Sequence, residues 1–263
     1  MARTKIVRRR DGTVLVERFS PFRRVEHLMV IIVFVLLVLT GFPQKFYEST
    51  WATSTLNFFG GLDRARTVHR VAGMVFAFQA IFHIAVIMIG TLTKKMRLTL
   101  LPTPQDLRDV FATMSYYFGY RKEHPRYPKF DYRQKFEYLG MVLGGMVMVF
   151  TGLVLLYPGL TASIMPGQII PAARIMHSSE ALLALSVLIV WHVYGSHLSP
   201  EVFPMDTSIF TGYMTEEELA ERHSLEYEHV FGKPPAHLAE HAEAPKTGVT
   251  LTPPEDTDSA PKA

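Results

Sequence analysis

Four runs of about twenty residues, 25–42, 67–90, 136–157 and 174–197, carry only one or two charges each. That length crosses the hydrocarbon core of a bilayer as a helix. Lipid offers no hydrogen bonds, so a crossing segment must satisfy its own backbone, and a helix does so within one segment. A soluble domain of 263 residues, 48% of them apolar, would not segregate its charge so sharply. The expected fold is therefore all-α, an integral membrane four-helix bundle.

Loop charge sets the expected topology. Residues 1–24 hold eight Lys/Arg, and the loop 91–135 is also rich in them. The loops 44–65 and 158–173 hold few. The basic side faces the cytoplasm, which puts both termini there. No small-residue cleavage site follows an apolar region near the start, so no removable signal peptide is expected. Three parts result: a basic cytoplasmic N-terminus (1–24), a membrane domain (25–198) and a cytoplasmic tail (199–263).

Within the second loop, Thr103-Pro104-Gln105-Asp106 reads as a helix start, with Thr as N-cap and Pro at the first helical position. Leu107, Val110, Phe111, Met114, Tyr117 and Phe118 then recur at helical spacing. One additional surface helix is expected, lying on the membrane or against the bundle. Thr215 to Glu218 resembles a capping box that opens a short acidic helix. From about 243, Pro, Thr, Glu and Lys dominate, and disorder is expected. No internal repeat stands out.

Histidines inside these runs carry the chemistry. His69 and His83 are 14 residues apart in the second run, and His177 and His192 are 15 apart in the fourth. At about 100° per residue each pair lies near one helix face, roughly 21 and 22 Å apart in depth. Polar groups in a membrane are expensive and commonly functional. Side by side, the two helices bring His69 level with His177 and His83 level with His192. Ligands four turns apart cannot share one zinc ion. Two stacked bis-imidazole sites suit two haem b groups. The chain has no cysteine, which removes iron–sulfur clusters, disulfides and c-type haem attachment.

Several residues surround these sites. His27, at the inner end of the first run, makes three histidines where one haem needs two. His197 follows His192 by five residues, on another face of an α-helix; a third haem between His27 and His197 is the alternative to an interfacial role, contacting headgroups or a haem propionate. Arg66 and Arg70 flank His69 and suit haem propionates. Glu137 is a candidate proton acceptor beside a quinone, or an interfacial partner of Lys135 or Arg133. Glu180, one turn from His177, receives no chemical role. Gly73 and Gly90 leave room for a macrocycle or for packing. His223, His229, His237 and His241 read as solvated.

Arg24-Val25-Glu26-His27 with Leu39-Thr40-Gly41, Val68-His69-Arg70 with Gly73, Val149-Phe150-Thr151-Gly152, and His177 with Trp191-His192-Val193-Tyr194 resemble a known family. It comprises the cytochrome b subunits of membrane formate dehydrogenases and nickel–iron hydrogenases, in the bacterial cytochrome b561 superfamily. The resemblance covers roughly residues 20–200. Lys135-Phe136-Glu137-Tyr138 and the stretch from Glu201 to Asp206 are similar to a branch found with multihaem c-type cytochromes. The formate dehydrogenase pattern implies an outer haem on His69 and His177 and an inner haem on His27 and His192. His83 stands where that pattern has an apolar residue. Depth matching gives His83 to His192; the resemblance gives His27.

The expected function is that of a membrane b-type cytochrome in the bacterial inner membrane. It passes electrons between the quinone pool and a partner redox subunit, a multihaem cytochrome c or another. Quinone is expected near the inner haem, among the first span, Glu137 and the basic loop. The partner is expected at the outer loops, and no nucleic acid is expected. The alternative is a self-sufficient transmembrane reductase of the cytochrome b561 type; a non-redox anchor is a third option.

Overall fold

The computed structural model describes residues 4–94, 98–236 and 238. Four helices are long and apolar enough to cross a membrane. They are α1 (Pro21–Lys45), α3 (Leu62–Leu92), α5 (Tyr132–Leu156) and a two-part helix, α7 (Ile169–Val187) continued by a π-helical segment (Leu188–Leu198). All four start four or five residues before their apolar runs, and in two of them side-chain caps set the first turn. Ser20 accepts from the Arg23 N–H with Pro21 at the first position, and Asp131 forms a reciprocal capping box with Gln134. The all-α membrane bundle read from the sequence is thus what the chain forms.

Helix α1 packs along α3, α5 along α7, and α3 against α5, while α1 meets α7 sparingly. The bundle is two tight helix pairs facing each other across a seam. Two segments expected as loops contain short helices, α2 (Thr50–Phe58) and α6 (Pro158–Ile164). Gly60 and Gly61, at φ +81° and +101°, turn the chain from α2 into α3.

Helix α4 (Pro104–Tyr117) begins at the expected Thr103 cap, with Asp106 closing a capping box. Its polar side faces the protein. Lys135 Nζ donates to Asp106 Oδ1 at 2.7 Å, and Thr113 shares a 2.7 Å hydrogen bond with the Tyr127 hydroxyl. Leu107, Phe111, Met114 and Phe118 point outward. The surface helix is therefore held against the bundle by its polar face.

A small sheet adds to the expected architecture. Strands β1 (Ile6–Arg8), β2 (Val14–Glu17) and β3 (Tyr213–Thr215) pair antiparallel in that order. Helices α8 (Ser208–Thr211), α9 (Glu216–Arg222) and α10 (Ser224–Phe231) accompany it, and Val16, Met214, Leu219 and Tyr227 form its core. The α9 capping box between Thr215 and Glu218 is as read from the sequence. The α4–α5 connection joins in, with Leu225 N donating to Tyr127 O at 3.1 Å. Residues 1–24, read as a basic N-terminus, thus contain a hairpin, which the sequence did not announce because its third strand lies some two hundred residues away. This cap gathers three segments at one end of the bundle, here termed the basic end.

His223, expected to be solvated, is buried and donates through Nδ1 to the Pro128 carbonyl at 2.8 Å. Burial, with Arg18 nearby, pushes its pKa down to about 2. The disorder expected from about 243, with His237 and His241, lies outside the described residues.

Candidate functional site

At the far end of the bundle, His69 on α3 faces His177 on α7, with ring centroids 6.4 Å apart. Each ring is held by a threonine of the neighbouring helix. Thr40 donates its hydroxyl to Leu36 O at 2.6 Å, so its oxygen accepts from His69 Nδ1 at 3.0 Å. Thr151 donates to Val147 O at 2.7 Å and accepts from His177 Nδ1 at 2.9 Å. Both threonines are 0% exposed. With the proton fixed on Nδ1, each Nε2 is left with a bare lone pair, the form a metal requires. Glycine follows each threonine for space. A Cβ at Gly41 would stand 2.9 Å from the His69 ring, and one at Gly152 would stand 3.4 Å from the His177 ring.

At the basic end, His27 on α1 faces His192 in the π-helical segment, with ring centroids 6.1 Å apart. Glu137 on α5 accepts from His192 Nδ1 at 2.6 Å. His83 does not face His192. His83 Nδ1 meets Glu26 Oε1 at 2.5 Å and its Nε2 accepts from the Tyr138 hydroxyl at 3.0 Å, so both ring nitrogens are engaged. Arg23 donates to the other oxygen of Glu26 at 2.6 Å, and Gln79 donates to the Glu26 carbonyl at 3.0 Å. The result is a polar chain across the basic ends of α1, α3 and α5. Depth alone misled because rotation about α3 turns His83 to α1 and α5.

The placement of His197 also departs from expectation. Five residues are about 140° out of phase in an α-helix. In a π-helix each N–H bonds five residues back, so residues five apart stack on one face. The segment Leu188–Leu198 is π-helical throughout, and Ser199 N bonds Tyr194 O at 2.8 Å. His197 therefore shares the face of His192, and its Nδ1 is buried with no hydrogen-bond partner among the described residues.

Other candidates are less engaged. Arg66 and Arg70 are exposed beside His69, Arg66 with a long 3.8 Å contact to Asp63. Gly73 has open space where a Cβ would stand. Glu180 lies against Gly144 of α5, where it leaves no room for a Cβ. Sequence reasoning gave no role to Thr40, Thr151, Glu26 or Tyr138. The repeated Thr-Gly in α1 and α5 was the available signal for the first two.

An imidazole nitrogen sits about 2 Å from a bound first-row metal, and the ring centre about 1 Å farther, so two rings sharing one ion stand about 6 Å apart. Both histidine pairs meet that separation. Among the described residues no cluster of three or more His, Cys, Asp or Glu could hold a bare ion. Two ligands per site fit an iron that arrives with a macrocycle.

A four-span membrane bundle with histidines paired across it at two depths is the arrangement of a membrane b-type cytochrome. The model of the prokaryotic cytochrome b561 family matches residues 18–203, and the chain belongs to that family. It is accordingly a multi-pass membrane cytochrome of electron transfer, with haem b as its cofactor. No curated protein matches the chain.

Proposed function

We propose that the chain carries electrons across the bacterial inner membrane, between the quinone pool and a partner redox subunit. In this reading His27 and His192 hold one haem b near the cytoplasmic, basic end, and His69 and His177 hold a second near the outer face. The observation that carries it is the pair of ring separations, 6.1 and 6.4 Å, at opposite ends of one seam. Bound haem supplies a one-electron iron couple at each level. The protein fixes the tautomer of each outer ligand through Thr40 and Thr151, and orients His192 through Glu137. Arg70, and Arg66 beside its long contact to Asp63, are exposed at the outer rim, where propionates would meet them.

Quinone chemistry belongs at the basic end. Exchange between quinone and quinol moves two protons, and Glu137 with the Arg23–Glu26–His83–Tyr138 chain supplies polar groups to receive them there. The partner, a multihaem cytochrome c or another redox subunit, docks at the outer face. Trp51 and Phe58 of α2, with Leu160 and Ile164 of α6, expose apolar surface there.

Purified protein in lipid nanodiscs tests the reading. A quinol should reduce both haems, and a redox subunit should co-purify from mild detergent. Reduction by a small soluble donor alone, with no response to quinol and no partner, would favour the self-sufficient reductase.

A further inference from the structure

We propose that His197 is a positioning residue that hydrogen-bonds a propionate of the haem held by His27 and His192; the inference rests on the two-haem reading. The π-helical segment stacks His197 on the face of His192, one π-turn closer to the basic end. Both rings are within electrostatic reach of His27. A buried ring nitrogen without a partner is costly, and natural structures leave few. His197 Nδ1 is such an atom.

The charged groups of haem b are its two carboxylates. They belong on the aqueous side of the inner site, which is where His197 lies relative to His192. Three neighbouring cations are paired with carboxylates. Arg23 pairs with Glu26, Arg133 with Asp131 and Glu201, and Lys135 with Asp106. Arg24 Nη2 donates to the Phe210 carbonyl, and its Nε is buried without a partner among the described residues. His197, on the π-helical face of His192, has a buried Nδ1 without a partner among the described residues. The π-segment is the device that places it, since an α-helix would turn it away.

The test uses the full chain in nanodiscs, with haem counted per chain in the parent before any variant is made. In His197→Phe two haems should remain, both low-spin. One of them should pass to excess apomyoglobin about tenfold faster or more, by loss of one charge-assisted bond. Its midpoint potential should fall, because an uncompensated carboxylate favours ferric iron, while the other haem is unchanged. His197→Asn, which keeps a donor, should move both readouts back towards the parent. A second apolar variant, His197→Leu, guards against a folding defect peculiar to the larger ring. Unchanged transfer and potential in both apolar variants would overturn the inference. So would loss of one low-spin signal, or a fall from three haems to two, since His197 would then be a ligand. Fewer than two haems in the parent would instead remove the underlying reading.

Discussion

His69 Nδ1 lies 3.0 Å from the Thr40 hydroxyl, whose own proton is on the Leu36 carbonyl at 2.6 Å. The hydroxyl can only accept, so the imidazole carries its proton on Nδ1 and leaves Nε2 with a bare lone pair. Thr40→Val keeps the shape and removes the acceptor. Losing the hydrogen bond that orients a ligand ring costs about 10- to 100-fold in metal-site affinity. Thr40→Val and Thr151→Val should each weaken the outer haem by that order while the inner haem stays. Haem retention during dilution, read from the reduced optical band, checks this.

The two glycines should differ. A methyl at Gly41 stands 2.9 Å from the His69 ring and forces it to move, whereas one at Gly152 stands 3.4 Å from His177 and asks for a few tenths of an ångström. Gly41→Ala should lower outer-haem content in purified protein, and Gly152→Ala should leave it near the parent value.

Lys135 and Asp106, 8% and 9% exposed, form the buried ion pair that anchors α4 to α5. Removing one partner leaves an uncompensated charge, at about 3–5 kcal/mol. Lys135→Met should release α4, and Lys135→Met with Asp106→Leu should restore much of the loss; hydrogen exchange across α4 reports both. For Asp106, burial raises the pKa but hydrogen bonds from Lys135 and Thr103 outweigh it, so the carboxyl titrates below its usual 3.8. Its contribution is therefore full above about pH 4 and is lost as pH falls through the lower folded value.

His223 gives the cap a dependence at milder pH. Its pKa is about 2 when folded and 6.5 when free. Below pH 6.5 the unfolded cap binds a proton that the folded cap refuses, so stability is full above 6.5 and declines as pH drops. The loss reaches about 2 kcal/mol at pH 5, at about 1.4 kcal/mol per pH unit. Faster amide exchange in β1–β3 at pH 5 than at pH 7, corrected for intrinsic rates, is the expected result. In His223→Gln that difference should vanish.

The spans were legible because lipid burial leaves a local signature, a run without charge. The Thr103 and Thr215 caps were legible for the same reason, each being written within four residues. The hairpin of residues 6–17 was not, since β3 completes it from across the chain. Neither was the rotation that gives His27 rather than His83 to His192, because helical phase within a span does not say which neighbour a face meets. The position of His197 was misread from a fixed 100° per residue, which a π-helix breaks. Thr40-Gly41 and Thr151-Gly152 stood in plain view, and their shared role appears only once α1 lies on α3 and α5 on α7.

Haem content per chain, by pyridine haemochrome, tests the central claim most directly when the parent is compared with single histidine variants. The account predicts two haems b in the parent, one in His27→Ala and one in His69→Ala, and two in His83→Ala, whose ring is occupied by Glu26 and Tyr138. One haem in His83→Ala together with two in His27→Ala would contradict it.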